Sequence, residues 1–242
     1  MTITSSDNEK LKTLRKLRQR RRERERLGQF VAEGEDLLAA ADAAGWVPVE
    51  RFAASGSGLP GIEVDATALK SVTELASGTR TLAIYNERWE AEVAATQSAL
   101  CVYLHAIADP GNVGTVLRSA AAFGAGCVAF GPGSADPFGP KAVRASMGAI
   151  FGVPVAHATP DALPGTTIAL DARAERTLAE VAAEIPAAAQ LSVLIGAERD
   201  GLPAELVAGA SVAARIPIAT ESLNAAIAAS VALYELSKRT ST

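Results

Sequence analysis

The sequence predicts an α/β fold with a mostly parallel sheet, preceded by a smaller α/β unit. Two observations carry this. Six short apolar runs recur after residue 99, at 100–107, 126–130, 153–156, 166–170, 191–195 and 212–216, with helical segments between most of them. Alternating β and α segments argue for a parallel sheet with helices on both faces. The first run, Leu100 to Ile107, is apolar almost without interruption, the mark of a strand covered on both faces.

Taken in order, residues 1–9 read as disordered. From Lys10, the residues Leu11, Leu14 and Leu17 recur at a helical step, with Lys12, Arg15, Lys16 and Arg18 between them and a charged run at 20–26. Phe30 to Gly34 reads as a short strand and Asp36 to Ala44 as a helix stopped by Gly45. Trp46 to Ala53 reads as a strand, 55–58 as a loop, 65–69 and 71–76 as short helices, and Arg80 to Tyr85 as a further strand. Residues 10–88 thus form a small α/β domain of ordinary size. The polar, alanine-rich stretch 89–98 reads as a linker, and 99–242 as the larger domain.

Composition narrows the function. No apolar run reaches the roughly 18 residues that suggest a membrane span, and the N-terminus lacks the apolar core of a signal peptide. A soluble, cytoplasmic protein is expected. Cys101 and Cys127 lie in apolar runs and read as buried reduced thiols. His105 and His157 are isolated, which supports no zinc site. The net charge of −4 hides an asymmetry: residues 1–26 hold ten Lys and Arg against four acids, the rest thirteen against twenty-three. A basic arm on an acidic body suggests a polyanion partner, with nucleic acid the natural candidate.

Three strand-end segments carry polar residues. In Asp109 to Ala120, Pro110 and Gly111 read as a turn, Asn112 as the cap of a helix running to Phe123, and Gly124 as its terminator. Arg118 lies in this otherwise small and apolar helix. A guanidinium so placed usually meets a carboxylate or a phosphate, the bland alternative being a structural ion pair. The glycines match neither a dinucleotide fingerprint nor a P-loop. In Leu194 to Pro203, Gly196 would let a ligand approach the backbone. Glu198 is there either to orient a group or as an ordinary exposed acid. In Ile216 to Asn224, Ser222 reads as the N-cap of a helix along which Leu223, Ile227, Val231 and Tyr234 make one apolar stripe. Polar groups at three strand ends form an active-site pattern for an open sheet. With no catalytic His or Cys, acid pair or metal cluster, the set suits positioning and electrostatics.

Together these motifs resemble the SpoU (TrmH-like) branch of the SPOUT RNA methyltransferases: Asn-x-Gly-x-x-x-Arg-x-Ala at 112–120, Gly-x-Glu-x-x-Gly at 196–201, and Ile-Pro…Glu-Ser-Leu-Asn with a Leu-Tyr-Glu helix at 216–235. The segment Lys141 to Val155 is also similar to the family, and residues 10–85 to its ribosomal-protein-like RNA-binding extension. The resemblance implies a SPOUT-type fold with a C-terminal deep trefoil knot that holds S-adenosylmethionine. It also implies a homodimer through the catalytic domain and methyl transfer to a ribose 2′-hydroxyl, of rRNA in preference to tRNA. Gly196, Ile216, Leu223, Leu194, Ile195, Pro217 and Ile218 would bind the cofactor. Arg118, Asn112, Glu198, Ser222 and Asn224 would form the catalytic pocket. On so acidic a body the RNA footprint is local, and Lys141 and Arg144 read equally as part of it or as a solvated helix face. One departure from the family is the short, glycine-free link Ala219-Thr220. The competing reading is a non-catalytic RNA-binding ribosome-assembly factor of the same fold.

Overall fold

The computed structural model describes residues 2–73, 78–91, 99–220 and 222–240. The N-terminal part is a four-stranded sheet of β1 (Gln29–Glu33), β2 (Glu50–Ala54), β3 (Ile62–Val64) and β4 (Thr81–Asn86), in the order β1-β4-β2-β3. Only β2 and β3 run parallel in it. With it go helices α1 (Glu9–Gln19), α2 (Arg21–Leu27), α3 (Glu35–Ala43) and α4 (Ala66–Lys70). Leu11, Leu14 and Leu17 are fully buried against Val31, Phe52 and Leu82, so the helical step of the leucines is the core face of α1.

Three expectations need correction or fall outside the described residues. The beginning of the chain is ordered: Ile3 bridges Val64, donates to Glu63 O and accepts from Asp65 N, and its side chain packs on the leucine cluster. Trp46 is not part of β2. Its ring is buried between the two sheets, and its Nε1–H donates to Phe151 O at 2.8 Å. Of the helix expected at 71–76 and the linker at 89–98, residues 74–76 and 92–98 are outside the described residues.

The second sheet has six parallel strands: β5 (Leu100–Leu104), β6 (Cys127–Phe130), β7 (Val155–His157), β8 (Thr166–Leu170), β9 (Leu191–Ile195) and β10 (Val212–Ala214). Their order is β10-β8-β9-β5-β6-β7. Helices α5 (Pro110–Ala122), α6 (Pro140–Ala145), α7 (Leu178–Glu184), α8 (Ala204–Gly209) and α9 (Ala225–Ser237) cover it. Leu100, Val102 and Leu104 enter the main core, while Cys101 and Tyr103 enter a second cluster on the other face, beside Leu202 and Leu206. Both faces are buried, which is why this strand reads as a continuous apolar run.

Two contacts set the position of the site. At Gly114 an added Cβ would lie 2.5 Å from Ala142 O and 2.6 Å from Ala145 Cβ, so α5 and α6 meet backbone to backbone. The two sheets are joined by packed rings: Phe30 lies 4.8 Å from Phe138, and Phe151 lies 5.3 Å from both Trp46 and Tyr85. Beside them, Arg24 donates to Asp136 Oδ2 from Nε at 2.9 Å and Nη2 at 2.7 Å.

Helix α9 buries Leu233 and Leu236 together with Ala225, Ala226, Ala229 and Ala232, and the small alanines let it lie close to α5, where Ser230 and Ser119 share a 2.6 Å hydrogen bond. The larger stripe seen in the sequence points outward: Ile227 is 53% exposed, Val231 38% and Tyr234 53%.

Gly114→Val should lower stability by about 2 kcal/mol through overpacking, a fall in Tm of roughly 4–8 °C for a chain of this length. The exposed neighbour Thr115→Val should leave Tm unchanged. Equal melting of the two variants would contradict the close helix contact.

Candidate active site

The parallel sheet brings the carboxyl ends of β5, β8, β9 and β10 to one edge. After β5, Asp109 caps α5 by accepting from Gly111 N at 2.7 Å. Its hydrogen bond with Lys141 Nζ, then that with Gly111, hold its carboxyl below the usual range. Pro110 occupies the first helical position, where no N–H is needed. Pro110 and Gly111 therefore belong to the helix rather than to a preceding turn, and Asn112 is not the cap.

Freed from capping, the Asn112 side chain bridges the other two segments. Its Nδ2 donates to Glu198 Oε1 at 2.5 Å, and its Oδ1 accepts from Asn224 Nδ2 at 3.2 Å. Asn224, not Ser222, caps α9: its Oδ1 accepts from Ala226 N at 2.9 Å and Ile227 N at 3.2 Å. The helix begins at Ala225, which leaves Ser222 too far upstream to reach its first N–H groups.

The loop after β9 folds on itself. Ala197 and Gly201 exchange backbone hydrogen bonds of 3.1 and 3.0 Å. A Cβ on Gly196 would lie 2.1 Å from Gly201 C and 2.3 Å from Leu202 N. Glycine is required here by the loop's own chain, a reason different from the ligand approach expected from sequence.

These loops enclose a cleft of about 400 Å³, within the range of small-molecule sites. Ile195, Gly196, Glu198, Ile216, Ile218, Ser222 and Leu223 line it. Leu194 does not: side chains alternate along β9, so it packs in the cluster on the opposite face at 1% exposure. Pro217 is exposed outside the lining, and Asn112 and Asn224 reach the cleft through Glu198. Arg118 lies further along α5, exposed, and makes no hydrogen bond or ion pair with the described residues.

Sequence reasoning missed the fourth wall, Leu170 to Arg173 after β8, and Arg215 beside it. The signal was present as Asp171-Ala172-Arg173 directly following an apolar run. Burial raises the Asp171 carboxyl, but hydrogen bonds from the Arg173 backbone and guanidinium outweigh it and hold the pKa below the usual value. Arg215 donates to the carbonyls of Ala174 and Glu175.

Apolar side chains such as Ile195, Ile216 and Leu223, with three carboxylates, Asp171, Glu198 and Asp200, and three arginines, Arg173, Arg199 and Arg215, around them, suit a ligand that combines a flat ring, hydroxyls and charged groups, a cationic centre among them. S-adenosylmethionine has all three. Among the described residues no group of His, Cys, Asp and Glu could hold a metal ion, and no helix is long and apolar enough to cross a membrane. Fold and site together define a group-transfer domain that acts by positioning.

The SpoU rRNA Methylase family model matches residues 99–234, and the MRM3-like substrate binding domain matches residues 8–97. The chain belongs to the SpoU rRNA methylase family. It is an RNA methyltransferase with S-adenosylmethionine as methyl donor. The chain is 29% identical to the 23S rRNA (guanosine(2553)-2′-O)-methyltransferase RlmP of Bacillus subtilis, over 97% of this chain and 98% of that one. It is 33% identical, over 68% of its length, to an uncharacterized tRNA/rRNA methyltransferase of Mycobacterium tuberculosis, of which it spans 54%. The structure of an AdoMet-bound rRNA methyltransferase from Sinorhizobium meliloti superposes with a TM-score of 0.86 at 28% identity, covering 98% of this chain and 97% of that one.

Asn224→Ala should cost about 1 kcal/mol by loss of the cap, seen as a fall in Tm of roughly 2–4 °C. Ser222→Ala should melt as the wild type. The reverse pattern would return the cap to Ser222.

Proposed function

We propose that this protein methylates a ribose 2′-hydroxyl of ribosomal RNA, and that Arg118 is its principal catalytic residue. The observation that carries the reading is the hydrogen-bonded chain Asn224–Asn112–Glu198 at the mouth of the cleft, with the unpaired guanidinium of Arg118 on the same helix as Asn112.

When bound, S-adenosylmethionine supplies a methyl group activated on a sulfonium. The protein's task is to place the 2′-oxygen in line with it, roughly 3 Å away. The arginine guanidinium is a permanent cation in water, so Arg118 acts through its charge rather than as a base. It binds the phosphate beside the target ribose and stabilises the alkoxide that develops as the hydroxyl proton leaves to water. Asn112, fixed at both ends, orients the ribose. Glu198 holds neighbouring groups at the rim, and Ser222 and Asn224 shape the pocket. Gly196, Ile195, Ile216, Ile218 and Leu223 hold the cofactor, with Leu194 and Pro217 supporting them from behind. We take the C-terminal part of the catalytic domain to be threaded as a deep trefoil knot, a reading supported by the way residues 196–202 and Ile216, Ile218, Ser222 and Leu223 enclose one cleft.

The outward stripe of α9 is the proposed homodimer surface. Ile227, Val231 and Tyr234 form an apolar band, with Phe123, which caps the end of α5, packed 5.8 Å from the Tyr234 ring. Residues 10–88 bind the RNA, residues 99–242 carry the catalytic domain, and the enzyme works in the cytoplasm. The basic arm is partly neutralised by its own fold: Arg24 pairs with Asp136, Arg21 with Glu25 and Arg26 with Glu23. Phosphate contact falls mainly to Lys16, Arg20 and Arg22.

Arg118→Ala should lower kcat by about a hundred-fold or more, the scale of losing one electrostatic stabiliser of the transition state. Binding of S-adenosylmethionine, measured by calorimetry, should be retained. Near-normal turnover would remove Arg118 from the catalytic role. Val231→Glu should turn a dimer into a monomer in sedimentation velocity, and an unchanged sedimentation coefficient would place the interface elsewhere.

A further inference from the structure

A second cavity, of about 330 Å³, opens at the carboxyl ends of β6 and β7, between the two sheets. Its walls are the turn 131–137 on one side and Arg21 and Glu25 of α2 on the other, and Glu87, Trp89 and His157 complete it. The Trp89 and His157 rings stack at 4.0 Å with 19° between their planes. Phe138 meets the indole edge-on at 5.2 Å, and Trp89 Nε1 donates to Glu87 Oε2 at 2.9 Å, so the indole is held rigidly. His157 is exposed. The Arg24–Asp136 ion pair locks α2 to the turn, which gives the cavity a fixed width.

Its chemistry is selective. Of its three acids, Glu25 is paired with Arg21 at 2.8 Å and Asp136 with Arg24, which leaves Glu87 without a cationic partner among the cavity's lining residues. Burial is the main cause that raises the Glu87 carboxyl above its usual pKa, the sign of a group withdrawn from water. The remaining oxygens of Glu87 and Glu25 offer acceptors to N–H donors, while the stacked rings accept a flat group. Arg20 and Arg22, the sequence neighbours of the lining residue Arg21, are exposed and are the cations offered to a sugar-phosphate chain.

We propose that this cavity binds one unpaired nucleobase of the RNA substrate, stacked on His157, with guanine preferred. Guanine presents N1–H and N2–H₂ together on one edge, more donors than any other standard base offers there. Base–aromatic stacking is the usual way proteins hold unpaired nucleotides. The proposal rests on the RNA-substrate reading above. It adds a subsite away from the cofactor cleft, on the opposite half of the sheet edge.

The test uses the full-length protein saturated with S-adenosylhomocysteine, so that the cofactor cleft is filled. Guanosine 5′-monophosphate should quench tryptophan fluorescence saturably, and uridine 5′-monophosphate should bind about ten-fold more weakly. His157→Ala should weaken quenching by about five-fold or more, and His157→Phe, which keeps a stacking ring, should restore it. Absence of saturable quenching, or equal quenching in His157→Ala, would overturn the proposal. In methyl transfer, His157→Ala should raise KM for ribosomal RNA about five-fold with kcat nearly unchanged. A wild-type KM in that variant, while wild-type enzyme methylates RNA, defeats the subsite alone. No transfer by wild-type enzyme defeats the RNA-substrate reading instead, and nucleotide quenching still decides the cavity.

Discussion

The carboxamide of Asn112 joins segments that lie 86 and 112 residues away in sequence, and the geometry of the site depends on it. Its orientation is fixed from both ends. Glu198, as a carboxylate, only accepts, so Asn112 turns its NH₂ toward it and its oxygen toward Asn224. Asn224 then gives its own NH₂ to Asn112 and keeps its oxygen for the first N–H groups of α9. The chain runs from the positive end of a helix to a carboxylate, each bond polarised in the same sense. A substitution at any member leaves the next with an unmatched group.

That bridge holds only because the backbones beneath it touch. Gly114 brings α6 against α5, the helix that carries Asn112 and Arg118, and Gly196 lets the loop bearing Glu198 close on itself. The rings of Phe30, Trp46, Tyr85, Phe138 and Phe151 then fix the N-terminal sheet against the catalytic one. The buried Arg24–Asp136 pair adds orientation at the same seam. Breaking one member of such a pair typically costs about 3–5 kcal/mol, because the other charge stays buried. The N-terminal and catalytic parts share one core cluster, so the first is held in a fixed position against the second.

Much of this was legible in the sequence because it depends on local pattern. The strands at 166–170 and 191–195 were placed to the residue, and the leucine step of α1 marked its buried face. What was not legible depends on long-range packing. Ser222 and Asn224 are both good caps by type, and only the helix start at Ala225 decides between them. The stripe Ile227, Val231 and Tyr234 looked like a core face. Alanines can approach α5 more closely, so they took the inside. Ile3 gives no periodic signal, yet the edge of β3 pairs with it. The basic arm looked uniformly available to phosphate, but Arg24 is turned inward by Asp136, more than a hundred residues away. Asp171 carries the same strand-end signal as the other segments, directly after β8, and only the folded sheet shows that it shares their cleft.

The most direct measurement is transfer of a labelled methyl group from S-adenosylmethionine by the wild-type protein, with ribosomal RNA and tRNA as separate substrates. Label should enter ribosomal RNA and survive alkaline hydrolysis as a dinucleotide, because a methylated 2′-oxygen cannot attack the adjacent phosphodiester. Label in alkali-labile mononucleotides would mean a base is the acceptor, and would contradict the placement of Arg118 beside the ribose and phosphate.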